Sequence, residues 1–142
     1  MCDHAVLPPP ATPARAASAW EQTYPGTKDQ AAQVRASLRL FLDGSPLEGD
    51  AVTLVSELAA NAVTHSRSRL PGGTFTVRAQ LCEDGGLHAE VEDQGSGWDG
   101  DLSTAECPHG LYLLRALSAD CGTRPGKQGW MTWFVLAVSV IG

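Results

Sequence analysis

Between Thr74 and Val91, two runs of alternating apolar and polar residues flank a Gly85-Gly86 pair. In the first run Phe75, Val77, Ala79 and Leu81 share one side, with Thr74, Thr76, Arg78 and Gln80 on the other. In the second, Leu87, Ala89 and Val91 alternate with His88, Glu90 and Glu92. A period of two belongs to strands that bury one face, and a glycine pair between them is a hairpin signal. The chain must therefore build an antiparallel sheet with at least one apolar face, and that face needs a cover.

The cover is found upstream. Thr27 has the character of an N-cap, with Asp29 in the first turn and Gln30 at the capping-box position. Ala31, Val34, Leu38 and Phe41 or Leu42 follow at helical spacing, and Gly44 stands where a C′ glycine belongs. A second helix is expected from near Asp50 to about Ser66, ended by the Pro71-Gly72-Gly73 turn. A third is expected from about Gly110 to Leu117, followed by strands near Cys121–Arg124 and Trp130–Val140 around a Pro125-Gly126 turn. Trp20 to Tyr24 reads as an edge strand. Residues 1–18, with Pro8, Pro9, Pro10 and Pro13, read as a flexible Ala/Pro-rich tail before a domain at 19–142. The expected fold class is α+β: a two-layer sandwich with helices on one face of a mixed, mostly antiparallel sheet.

Composition narrows the function. A length of 142 residues fits one domain, and 43% hydrophobic with 18% charged residues is a globular balance. A formal charge of −6 argues against a basic surface for direct nucleic-acid binding. No run approaches the ~20 apolar residues of a membrane span, and the N-terminus lacks a signal-peptide pattern. Cys2, Cys82, Cys107 and Cys121 show no C-x-x-C spacing, so reduced thiols in a cytoplasmic protein are expected.

Three segments carry chemistry. Along the second helix Glu57, Asn61 and His65 fall on one stripe about 80° wide. A carboxylate and a carboxamide one turn apart can meet one ligand: the Asn oxygen suits Mg²⁺, and the Glu can orient or deprotonate a hydroxyl. A solvated polar face is the plainer account of the same spacing. Next comes Asp93-Gln-Gly95-Ser-Gly97, where an acceptor at a strand end precedes glycines that let a ligand approach the backbone. Asp93 can accept from an exocyclic amino group such as that of adenine. Last, Gly110 and Leu111 open a helix, whose N-terminus is suited to phosphate oxygens.

Taken in order, these segments resemble the Bergerat ATP-binding fold of the GHKL superfamily, shared by gyrase, Hsp90, histidine kinases and mismatch-repair ATPases. The closer resemblance is to the bacterial anti-sigma regulatory factor/serine-protein kinase branch, whose first box reads E-L-x-x-N-A-x-x-H, as from Glu57 to His65. The resemblance covers about Trp20 to Val138. It implies ATP and Mg²⁺ as ligands, Asn61 as the magnesium ligand and Glu57 as the catalytic base. It further implies Asp93 on adenine, Gly95 and Gly97 shaping the pocket, and Gly110 with Leu111 at the phosphate-binding helix start. His65 matches a family position and is read as structural in preference to catalytic, while Trp98 either stacks on the nucleotide or covers its loop, with covering favoured. The implied partners are a sigma factor and an anti-anti-sigma protein, with a homodimer permitted by the open sheet edge.

Two departures from the family pattern bear on activity. Pro108 replaces the first glycine before the last helix, removing a backbone N–H from a mobile lid. In Gly129-Trp-Met-Thr-Trp-Phe134, Met131 takes the expected threonine position, which places Thr132 on the strand face away from the nucleotide. Two functions follow: a kinase transferring the ATP γ-phosphate to a serine of an anti-anti-sigma partner, or a catalytically weak, nucleotide-responsive module that sequesters a regulatory partner.

Overall fold

The computed structural model describes residues 16–65, 70–94, 112–127 and 129–138. Its elements run β1 (Ala16–Pro25), α1 (Gln30–Phe41), α2 (Glu48–His65), β2 (Thr74–Cys82), β3 (Leu87–Asp93), α3 (Tyr112–Leu117), β4 (Asp120–Pro125) and β5 (Trp130–Leu136). The strands form one sheet in the order β1-β2-β3-β5-β4. Every neighbouring pair is antiparallel, so the sheet is not mixed among the described residues.

The hairpin read from the sequence is present in the expected register, with Val77 opposite Val91 and Ala79 opposite Ala89. Its turn is set by Gly85 at φ 88, a left-handed conformation that glycine adopts without a Cβ clash. The Gly86 N–H donates to the Asp84 carboxylate at 2.8 Å. That bond is the first cause holding the Asp84 carboxyl below its ordinary range.

β1 is longer than its apolar pattern suggested, running from Ala16 and pairing along β2 to Pro25 opposite Thr74. Backbone pairing supplies those added residues, and composition does not betray it. The start of α1 also differs from expectation. Its N-cap is Asp29, without a side-chain capping bond, because the Thr27 hydroxyl donates to the Asp29 carboxylate instead. Hydroxyl and carboxylate satisfy each other, and the capping box does not form. Gly44 does adopt positive φ, at 84, but two residues beyond the Leu42 C-cap.

α2 packs on α1, β2, β3 and α3. It buries Ala51, Leu54, Val55, Leu58, Ala59 and Ala62 against Phe75, Val77, Ala89, Val91 and Phe134. A side chain of Leu or Phe size contributes about 1.5–3 kcal/mol when fully buried, so this interface contributes strongly to stability. Tyr24 stacks on Phe75 with ring centroids 5.5 Å apart, extending the same layer to β1.

The opposite face of the sheet is built differently. Arg78 reaches three carboxylates: Glu92 at 2.8 Å, Glu90 at 2.9 Å and Glu21 at 3.4 Å. Burial works against the Arg78 charge, and the hydrogen bonds it donates to Glu92 and Glu90 outweigh that and raise its pKa. Met131 is buried on this face, opposite Glu92 and beside Arg124.

The cysteines depart from expectation. Cys82 and Cys121 are each disulfide-bonded, not reduced. Motif spacing speaks to metal and redox loops, whereas a structural bridge depends on the approach of Cα atoms in the folded chain. Cys2 and Cys107 lie outside the described residues. No helix among the described residues is long and apolar enough to cross a membrane.

Candidate functional site

α2 exists because its apolar residues recur at helical spacing, and the same spacing sorts its polar residues. Glu57 is exposed and Asn61 half-buried, one turn further along, while Leu58, Ala59, Ala62 and Val63 face the core. Residues four apart on a helix hold their Cβ atoms about 5–6 Å from one another, so both side chains can reach one ligand. His65 is the last residue of α2, and its side chain lies outside the described part of the structure.

Asp93 is the final residue of β3 and shares the parity of Leu87, Ala89 and Val91. Those three belong to the core beneath the helices, so Asp93 stands at the end of the helix-side face. It is half-buried. The sheet thus presents Asp93 on the layer where α2 carries Glu57 and Asn61. Gly95, Gly97, Trp98, Pro108, Gly110 and Leu111 lie outside the described residues. Tyr112 is the first described residue of the α3 segment.

β5 corrects the sequence reading. Thr132 lies opposite Val91, and Phe134 opposite Ala89, so Thr132 is on the helix-side face with Asp93. Met131, opposite Glu92, is on the far face. The expectation that Thr132 points away from the site is therefore reversed. Parity could have revealed this, since Phe134 and Leu136 are the apolar pair that faces the core, and Thr132 shares their phase.

A second threonine was missed altogether. Thr123 on β4 lies opposite Thr132, and both are buried, at 3% and 6% exposure. Buried hydroxyls on an apolar face need partners, which makes this end of the layer polar by construction. Nothing in the local sequence singles out Thr123, because its place depends on which strand β4 pairs with.

Gln94 was also passed over. Its side-chain oxygen accepts the Thr74 backbone N–H at 2.9 Å, tying the first residue after β3 to the start of β2. Among the described residues no cluster of three His, Cys, Asp or Glu could hold a metal by itself. A magnesium ion at Asn61 would then need oxygen ligands from a phosphate-bearing ligand, which is how Mg²⁺ usually completes its shell.

The family model for the histidine kinase-like ATPase domain matches residues 14–136. A 45-residue stretch is 40% identical to the anti-sigma F factor of Heyndrickxia coagulans, covering 32% of this chain and 31% of that protein. The crystal structure of the RsbU and RsbW domains of Rv1364c from Mycobacterium tuberculosis superposes with a TM-score of 0.67 at 26% identity. That match covers 87% of this chain and 33% of the other. The chain thus matches about a third of the length of each of these two relatives.

Proposed function

The chain belongs to the histidine kinase-like ATPase domain family, and we propose that it is an ATP-binding anti-sigma regulator that phosphorylates a serine of an anti-anti-sigma partner. The observation that carries this is the pairing of Glu57 and Asn61, one turn apart on α2, with Asp93 at the end of the strand α2 covers. The resemblance of the anti-sigma F factor and of the RsbW-containing structure supports the partner class.

Each residue has a separable task. Asp93 accepts a hydrogen bond from the adenine amino group and so selects the base. Thr132 offers a hydroxyl on the same face for the remaining edge of the base or for ordered water. Asn61 supplies a neutral oxygen ligand, and bound Mg²⁺ would offset charge on the phosphate oxygens. Glu57 accepts the proton of the incoming serine hydroxyl as its oxygen bonds to the γ-phosphorus and the bond to ADP breaks. Exposure of Glu57 suits this role, because a protein substrate has to reach it. Gly95, Gly97, Gly110 and Leu111 are assigned to the pocket and the phosphate end by the family pattern.

The reversed orientation of Thr132 favours an intact base pocket. Met131 lies on the far face and is no obstacle to the nucleotide. Pro108 alone still motivates the second reading, a nucleotide-responsive module without turnover.

Titration calorimetry with Mg-ATP, joined to a phosphoryl-transfer assay on a confirmed partner, separates these. We expect one-to-one binding by the wild type and by Glu57→Ala, with transfer lowered about 10²- to 10⁴-fold in the variant. Unchanged transfer by Glu57→Ala would sink the general-base role. Tight binding without any phosphorylated product from the wild type would replace the kinase with the sequestering module.

A further inference from the structure

The rungs of the β2–β3 ladder step regularly: Val77 faces Val91 and Thr76 faces Glu92. Continued by two residues, the same register sets Thr74 opposite Gln94. Main-chain pairing does not extend that far. β3 ends at Asp93, whose partner on β5 is Trp130, and the chain then leaves the sheet. At the vacated rung the Gln94 side-chain oxygen accepts the Thr74 N–H at 2.9 Å. A carboxamide oxygen has the same acceptor chemistry as a peptide carbonyl, so the side chain stands in for the strand that has just departed.

We propose that Gln94 is the positioning residue for Asp93: by completing the ladder with its side chain, it fixes where the main chain turns out of the sheet and hence where the Asp93 carboxylate is held for the base.

Two features support this over a merely stabilising contact. The bond joins residues twenty apart in sequence, at the residue that directly follows the last paired residue of β3. Its donor belongs to β2, which is locked on its other side by pairing of Thr74 with Pro25 of β1. The anchor therefore belongs to a strand paired on its other side, and the anchored residue is the first one after β3. Without it, Asp93 would sit at a frayed strand end, and a carboxylate that selects a base by one directed hydrogen bond loses most from a small displacement.

This inference rests on the proposed role of Asp93 in binding adenine. Its test compares ATP with inosine triphosphate, which carries a carbonyl in place of the adenine amino group and so presents no donor at that position to Asp93. Gln94→Met keeps similar length without an acceptor, and Gln94→Glu keeps an acceptor oxygen. Binding of both nucleotides is measured by calorimetry on the full chain, with thermal unfolding and amide exchange at Thr74 alongside.

We expect Gln94→Met to weaken ATP roughly fivefold, the scale of one lost hydrogen bond. Inosine triphosphate binding should stay within about twofold, and the Thr74 amide should exchange faster. Gln94→Glu should keep the preference for ATP. Equal losses for both nucleotides, or unchanged ATP binding with an unprotected Thr74 amide, would overturn the positioning role. A wild type that shows no preference for ATP would instead remove the Asp93 contact itself, and this inference with it.

Discussion

The two faces of the sheet bury side chains by opposite means. Under the helices, Phe75, Val77, Leu87, Ala89 and Phe134 are fully buried and apolar. On the far face Glu92 and Trp133 are each 1% exposed, yet the organising contact is one arginine shared among three glutamates. β3 serves both, giving Leu87, Ala89 and Val91 to one side and His88, Glu90 and Glu92 to the other. The contrast shows what polarity means in each place. Far-face charges satisfy one another and need no ligand to explain them. Helix-side polar groups gather at one end, at Asp93, Thr132 and Thr123, where an apolar layer would otherwise continue. That is where a binding function is the better account.

The helix-side layer is the face most sensitive to truncation. Phe134 is wholly buried beneath the helices, and Phe134→Ala should cost about 3–5 kcal/mol, the usual range for truncating a core aromatic. Urea unfolding would show it as a lowered midpoint at an unchanged slope. A cost below about 1 kcal/mol would mean that the helix layer can collapse onto the sheet and is not the close-packed side.

On the far face the same loss should come from charge. Arg78→Met leaves Glu90 and Glu92 buried without their shared cation, and breaking such a cluster costs about 3 kcal/mol. Arg78 keeps 31% side-chain exposure, which holds the expectation at the low end. Adding Glu90→Gln and Glu92→Gln to Arg78→Met should recover much of that loss, because the unpaired charges are then gone. No recovery would show that the Arg78 side chain acts through packing and not through charge.

How much of this was legible beforehand follows the range of the interactions. The hairpin was readable because Thr74–Leu81 and Leu87–Val91 alternate locally around two glycines. α2 and its Glu57/Asn61 stripe were readable because helical periodicity is local too. The far-face cluster was not, since Glu21, Arg78, Glu90 and Glu92 come from three strands and meet only after pairing. Thr132 was placed on the wrong face for a related reason: comparison with a motif fixed its position in the string, while its side is set by the phase of Phe134 and Leu136. Gln94 is the clearest case. Its role appears only when the ladder is counted across β2 and β3, and no property of the residue by itself announces it.

The smallest expected effect concerns how the far face responds to acid. Burial pushes the Glu90 carboxyl above the ordinary glutamate range, and the hydrogen bond from Arg78 opposes this without cancelling it. The native state then holds that proton more tightly than the unfolded chain does. The stability this contributes is fully present below the unfolded-chain value of about 4.3 and is lost as pH rises through the higher folded value. Glu90→Gln retains the shape and stays neutral, so it removes the loss. Relative to wild type, the variant should therefore gain stability as pH climbs from about 4.3 through the raised value, and the difference should level off above it. Urea midpoints for both proteins between about pH 4 and 8 would trace the curve. A difference that runs the other way would mean that Arg78 keeps Glu90 ionised more readily in the fold than in water. In that case the ion pair outweighs its own desolvation, and the far face is stabilised by charge as the helix side is by apolar burial.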